Sequence, residues 1–309
     1  MAGDSHTHHA VRHLAGAPGA HRLTAVRSAT AGARNIKLSI LMPAYNEQAT
    51  IGSAIAAVLD TEYPCDVELI VVDDGSSDAT GSILQRVDDP RAVIVTHAQN
   101  RGKGAALQTA ARHATGTHLV PFDADFEYDP ADLVAMLRPV IQRRCDVVYG
   151  TRLLGANTRY QSYRHALGNR ALTIAANVLF DVCLSDLHTC LKLVPTHLFR
   201  ELDLAERGFG LDTEITAKLL RCGIKPFEVP VSYHSRSFAA GKKITWRDGV
   251  ECLQILARVR SGRTRIADSL TEAPEMWPVG PEPQAVRRSM AAPAAVHERP
   301  AAAALAHVG

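Results

Sequence analysis

The sequence predicts an α/β fold in which a Rossmann-like, largely parallel central sheet is flanked by helices within a single domain. Three observations predict it. Five apolar runs of strand length are separated by four segments of helical period. The runs are short and joined by helices, which implies parallel strands covered on both faces. Apolar residues make up 46% and charged residues 21% of the 309, a globular composition that excludes global disorder.

Each element follows in order. Residues 37–42 (Lys-Leu-Ser-Ile-Leu-Met) read as the first strand, and 47–60 as a helix with Ile51, Ile55, Val58 and Leu59 at helical spacing. Strands at 67–72, 92–96, 118–122 and 146–149 alternate with helices at 77–87, 103–114 and 130–143. After residue 150 the rhythm changes: a helix at 163–180, an irregular stretch, helices at 195–202 and 212–222, a strand at 226–231 and a helix at 246–258. Residues 1–35, with a single acid, read as a disordered arm, 36–262 as the one folded domain, and 263–309 as a disordered Ala/Pro-rich tail.

Charge and composition exclude several functions. Thirty-four Lys and Arg against 32 Asp and Glu give a net charge of +2, which disfavours a nucleic-acid binder. No window approaches the roughly 18 apolar residues of a bilayer span. Six cysteines without a Cys-x-x-Cys pair read as reduced thiols of a cytoplasmic protein.

The chemistry is expected at the carboxyl ends of the strands, where open α/β sheets bind ligands. Strand one runs into Pro43-Ala44-Tyr45-Asn46-Glu47 and strand two into Asp73-Asp74-Gly75-Ser76-Ser77-Asp78. Ser77 and Asp78 suit a helix N-cap. Asp73 and Asp74 repel one another and call for a partner such as a ribose or a base edge. The third turn, Asn100-Arg101-Gly102-Lys103-Gly104, suits an anion at a helix N-terminus; equally, its glycines suit a tight turn and close packing. It is neither a P-loop nor a dinucleotide fingerprint.

The fourth turn, Asp123-Ala124-Asp125-Phe126-Glu127, carries acids at every second position. Alternate residues of an extended chain share a face, so Asp123, Asp125 and Glu127 converge if the extended geometry persists. Two carboxylates about 4 Å apart repel by about 4 kcal/mol at an effective dielectric of about 20. A divalent cation removes that repulsion, and hard oxygen donors select Mg²⁺ or Mn²⁺. An EF-hand is excluded because Tyr128 and Val134 stand where its Gly and Glu belong. Together the four turns describe a sugar-nucleotide site.

These motifs resemble the family 2 glycosyltransferases of GT-A fold, and most closely the dolichol-phosphate mannosyltransferase and polyprenyl-phosphate glycosyltransferase branch. The resemblance covers residues 37–260. It implies that Pro43, Tyr45, Glu47, Asp74 and Lys103 bind the nucleotide sugar, and that Asp123 and Asp125 hold the metal and diphosphate. Glu127, where the branch often has Gln, becomes a third metal ligand. It further implies that Arg152, with Arg164 or Arg170, binds an acceptor phosphate, a task suited to the rigid guanidinium fork. Arg236 and Lys242-Lys243 resemble a mobile loop that closes over the leaving group, so that Asp125, Arg152, Arg236 and Lys242 form the catalytic set.

The expected function is metal-dependent, inverting transfer of a hexose from GDP-mannose or a UDP-sugar to a polyprenyl phosphate such as dolichyl or undecaprenyl phosphate. The helix at 244–260, carrying Trp246, Leu253, Ile255 and Leu256, has two readings: the commoner one, an amphipathic helix facing the core, and peripheral contact with the cytoplasmic membrane face. An alternative is transfer to a hydroxyl, with Asp212 or Glu214 as base. A third reading is a non-catalytic sugar-nucleotide-binding protein.

Overall fold

The computed structural model describes residues 36–153, 158–159, 162–235 and 246–266. These fall within one compact unit that starts at Ile36. Strand β1 (Lys37–Ala44) is covered on both faces, as its apolar run requires. Leu38, Ile40 and Met42 enter one buried cluster and Leu41 the opposite one, the two-residue alternation of a pleated strand. Strand β2 (Asp66–Asp73) divides the same way, with Leu69 and Val71 on one side and Ile70 and Val72 on the other.

Seven strands form the central sheet: β1, β2, β3 (Ala92–Thr96), β4 (His118–Pro121), β5 (Val148–Thr151), β7 (Lys192–Pro195) and β8 (Phe227–Pro230). Their spatial order is β3-β2-β1-β4-β7-β5-β8. Strand β1 is parallel to β2 and β4, and its last residue pairs with the last of β2, Ala44 with Asp73. The first two turns therefore leave the sheet at one edge. Two short strands, β6 (Thr158–Arg159) and β9 (Tyr233–His234), pair separately.

Helices α1 (Ile51–Asp60) and α4 (Ala131–Ile141) supply one face of the core; α3 (Lys103–His113), α6 (Thr196–Glu201) and α7 (Leu211–Arg221) supply the other. Helix α2 (Thr80–Leu84) is a short connector. Helices α5 (Tyr163–Phe180) and α8 (Trp246–Arg260) pack with α7 around Ala176, Ala217, Ile255, Leu256 and Val259.

The expected elements are found; three of the differences bear on the site. Strand β7 lies in the stretch read as irregular, and it runs antiparallel to both β4 and β5. Its Lys192 is fully buried and donates to the Leu187 and Asp212 carbonyls, so a cation inside a four-residue run hid the strand. Helix α1 starts four residues late because Asn46 is left-handed, at φ 56°, and the chain turns before it winds. Helix α2 is half its expected length because residues 77–79 are engaged with the first turn. Helix α8 follows the core-facing reading at Ile255 and Leu256, which are buried, while Leu253 is exposed; the Trp246 side chain lies outside the described residues.

The amino ends of the strands carry a separate polar anchor. Glu68 accepts from Ser39 Oγ at 2.6 Å, from Thr115 Oγ1 at 2.6 Å and from the Gly116 amide at 3.1 Å, and it pairs with Lys37. Burial opposes its ionisation, but Lys37, Ser39 and Thr115 outweigh burial and hold the carboxyl at about 2. This anchor lies at the opposite end of the strands from the site.

Candidate active site

A cavity of about 860 Å³ opens at the carboxyl ends of the strands. Pro43, Tyr45, Glu47, Asp74, Lys103, Asp123, Asp125, Glu127 and Arg152 all border it. Nine residues read from the sequence, spread over 110 positions, thus meet at one place.

The first two turns are stitched together. Asn46 Oδ1 accepts from the Ser77 amide at 2.9 Å, Ser76 Oγ accepts from the Asn46 amide at 3.0 Å, and Gln48 Oε1 accepts from the Ala79 amide at 3.0 Å. Ser77 is therefore not a helix cap; the N-cap of α2 is Ala79, without a side-chain cap bond. Asp78 joins the loops, accepting from the Gln48 and Thr80 amides.

The expectation that Asp73 and Asp74 need a ligand is corrected. Asp73 accepts from the Ser76 amide at 3.0 Å. Asp74, 2% exposed, accepts from His97 Nδ1 at 2.6 Å and from the amides of Arg101 at 3.0 Å and Gly102 at 2.7 Å. The third turn does bind an anion at a helix N-terminus, and the anion is the protein's own carboxylate. Its glycines serve close packing: a Cβ at Gly102 would meet the Arg207 carbonyl at 2.5 Å, and φ there is 96°. The Ala105 amide is spent on that same carbonyl.

Lys103 follows that turn and places Nζ 2.8 Å from Asp123 Oδ2. Burial would lower its pKa, but Asp123 and neighbouring acidic groups raise it well above the usual ammonium value, so the lysine is charged. The fourth turn is not extended. Phe126 is left-handed at φ 58°, and Asp125 Oδ1 accepts the Glu127 amide at 3.1 Å. Glu127 Oε2 accepts from Tyr233 OH at 2.9 Å. Among the described residues no group of three or more His, Cys, Asp or Glu is gathered to hold a metal. Glu127 as a third ligand is corrected accordingly, because the premise of extended geometry fails at Phe126. Asp123 and Asp125 remain as a pair at a half-buried turn.

The second half supplies the facing wall. Arg152 is buried and grips Asp186 bidentately, Nε to Oδ2 at 2.6 Å and Nη2 to Oδ1 at 2.8 Å, with its guanidinium 4.8 Å from the Tyr233 ring centroid. Burial alone would raise the Asp186 pKa; Arg152 and Asn169 bring it to about 2. Arg152 is therefore half of a neutral pair rather than a bare charge. Asn169 bridges Asp186 to His188 Nδ1 at 2.7 Å, and His188 Nε2 lies 3.0 Å from Thr213 Oγ1. Burial first, then Lys192, lowers the His188 pKa to about 4, so the ring is neutral.

Asp212 borders the cavity with Oδ1 3.5 Å from Lys192 Nζ. Glu214 does not: it is 1% exposed and accepts from the Ala205 and Glu206 amides and from Lys218. Its role as a base is corrected. Arg170 is exposed on α5 and does not border the cavity; His165, Asn169 and Leu172 hold the inner stripe, and Arg170 lies about 100° around the helix from Asn169. The Arg164 side chain, Arg236, Lys242 and Lys243 lie outside the described residues. Asp186, His97 and His188 were missed from sequence because their partners are remote: Asp74 is 23 positions from His97, Arg152 is 34 from Asp186, and Asn169 and Thr213 are 19 and 25 from His188.

Comparison with known proteins follows this geometry. The family model described as glycosyl transferase family 2 matches residues 39–201, a little over half of the chain. Glycosyltransferase AglJ of Haloferax volcanii is 28% identical over 198 residues, covering 64% of this chain and 63% of AglJ. Glycosyltransferase AglD of the same organism is 29% identical, covering 70% of this chain and 36% of AglD. The chain thus spans less than two thirds of each. A bactoprenol glucosyl transferase of Shigella phage SfX is 34% identical over 38% of this chain and 39% of that protein. Among solved structures, glucosyl-3-phosphoglycerate synthase from Mycobacterium tuberculosis in complex with Mn²⁺, UDP and glucosyl-3-phosphoglycerate superposes with a TM-score of 0.54. It is 21% identical and covers 76% of this chain and 82% of that one, a likeness that shows the fold.

Proposed function

The chain belongs to the family 2 glycosyltransferases, and from that premise we propose that it moves a hexose from a nucleotide-diphosphate sugar, GDP-mannose or a UDP-sugar, to a polyprenyl phosphate with inversion. The observation that carries the reading is the shared cavity: it is bordered by Tyr45, Lys103, Asp123 and Asp125 from the first four turns and by Arg152, His188 and Asp212 from the second half of the fold. A transferase that joins two substrates needs groups for both in one cavity.

Asp123 and Asp125 fit Mg²⁺ or Mn²⁺, which take one or two carboxylates and complete their shell with water and substrate phosphates. When bound, such an ion stabilises the charge of the departing nucleoside diphosphate. Lys103 keeps Asp123 in place and adds a cation beside the diphosphate. Arg152, held rigid by Asp186, offers its remaining N–H donors toward an acceptor phosphate. A phosphate acceptor arrives as an anion and needs no general base.

Three observations support a lipid acceptor. The bactoprenol glucosyl transferase is among the relatives. Glu214 is sealed away from any hydroxyl. Helix α5, whose inner stripe borders the cavity, exposes Tyr163, Leu167, Ile174 and Val178 to solvent at 80, 53, 54 and 77%, and it contains no Asp or Glu. An apolar, acid-free outer face on the helix whose inner stripe borders the cavity suits an interfacial helix on anionic lipid at the cytoplasmic face. Among the described residues no helix is long and apolar enough to cross a membrane.

Transfer to a hydroxyl is favoured by one observation, the place of the Asp212 carboxylate at the cavity wall. Asp212→Asn separates the readings. With a phosphate acceptor the variant keeps turnover within about tenfold of wild type; a hydroxyl acceptor loses about 10²- to 10⁴-fold, the contribution of general base catalysis.

A further inference from the structure

We infer that His97 is a positioning residue for the donor site: through Asp74 it fixes the turn that carries Lys103. The chain of contacts is continuous. His97 Nδ1 lies 2.6 Å from Asp74 Oδ1, and because a carboxylate only accepts, Nδ1 is the donor. On the other side of the ring Nε2 lies 3.0 Å from Thr109 Oγ1, which also accepts from Arg112 Nη2 at 2.8 Å. Asp74 in turn accepts the amides of Arg101 and Gly102, one residue before Lys103, whose Nζ pairs with Asp123. His97 itself is 8% exposed and hangs from β2 through its amide, which donates to the Asp73 carbonyl at 2.8 Å.

The backbone around the turn has little slack. A Cβ on Gly75 would lie 2.5 Å from the carbonyl carbon of Gln99, so the second turn presses directly on the third. A buried carboxylate that gathers three donors fixes them; with one missing, it is left partly unpaired and draws the turn out of place. His97 does not border the cavity. Its effect reaches the cavity through Asp74 and the Arg101–Gly102 amides.

Three variants test this by geometry. Asparagine places its amide nitrogen where Nδ1 stood and keeps the donor to Asp74. Glutamine reaches the Nε2 position and faces Thr109 instead. Alanine keeps neither. In hydrogen–deuterium exchange of the full chain, His97→Gln and His97→Ala are expected to raise exchange at Arg101 and Gly102 by tenfold or more, with His97→Asn within about threefold of wild type. Uniform exchange increases across the fold, or equal behaviour of the Asn and Gln variants, overturn the inference. If His97→Ala does not fold, the Asn and Gln pair alone decides.

The bearing on donor binding rests on the proposed function and is read separately. Calorimetric titration with UDP and with GDP in the presence of Mn²⁺ is expected to show tenfold weaker binding to His97→Gln than to His97→Asn at matched folded fraction. Equal affinities overturn the donor-site role. A wild-type chain that binds neither nucleotide overturns the proposed function and leaves the exchange result standing.

Discussion

Lys103 and Asp123 form an ion pair inside the cavity, Nζ 2.8 Å from Oδ2, which joins the third turn of the site to the fourth. The lysine occupies one of the two carboxylates that suit a divalent cation, so cation and lysine compete for Asp123 until a diphosphate brings further negative charge.

Lys103→Met therefore has opposite effects on two ligands. Mn²⁺ alone binds more tightly, because Asp123 is released. The nucleoside diphosphate with Mn²⁺ binds about tenfold more weakly, about 1.4 kcal/mol, because a charge-assisted contact is lost. Titration calorimetry with and without nucleotide reads both.

Arg152 and Asp186 are both buried, and removing one strands the other. Arg152→Met costs about 3–5 kcal/mol of stability. The double variant Arg152→Met, Asp186→Leu recovers part of that loss, because no unpaired charge is left buried, while the Asn169 side-chain amide and the His188 and Arg152 backbone amides lose their acceptor. Transfer does not recover, because the donor toward the acceptor is gone. Urea denaturation and turnover of the same preparations separate the two roles.

The Glu68 anchor predicts a pH-dependent stability term with no kinetic counterpart. Its folded pKa of about 2 lies below the usual 4.5, so its contribution is fully present above about pH 4.5 and is lost as pH falls through about 2. Glu68→Ala leaves the Ser39 and Thr115 hydroxyls and the Thr115 amide without their acceptor and costs about 3 kcal/mol at neutral pH. Denaturant midpoints of the two proteins converge toward pH 2, and the KM for donor stays unchanged.

The outer face of α5 gives a fourth test. Ile174→Glu with Val178→Glu places two carboxylates on the exposed stripe, away from the cavity. Co-sedimentation with phosphatidylcholine–phosphatidylglycerol vesicles falls at least tenfold, while UDP or GDP binding is unchanged.

Most of this arrangement was legible in the sequence, because strands and turns are local. The apolar runs marked β1 to β5, and the polar residues after them marked the ligand edge. What escaped depends on distant partners. Lys192 sits inside β7 because Asp212, twenty residues on, and the Leu187 carbonyl satisfy its ammonium. Asp186 matters only because Arg152 is brought against it. Alternating acids suggested convergence of Asp123, Asp125 and Glu127, but a single left-handed residue, Phe126, sends Glu127 to Tyr233. Asp74 was read as waiting for a ligand because His97 and two backbone amides could not be foreseen from spacing.

The central claim is that this cavity transfers a hexose from a nucleotide sugar to a lipid phosphate with the help of a metal at Asp123 and Asp125. The most direct measurement incubates the protein with radiolabelled UDP- and GDP-sugars, undecaprenyl or dolichyl phosphate and Mg²⁺ or Mn²⁺, and counts label extracted into organic solvent. Label from one donor is expected, and it disappears with EDTA and in Asp125→Ala. Organic-phase label that persists in Asp125→Ala at the wild-type rate, or none from any donor in the presence of metal, would contradict it.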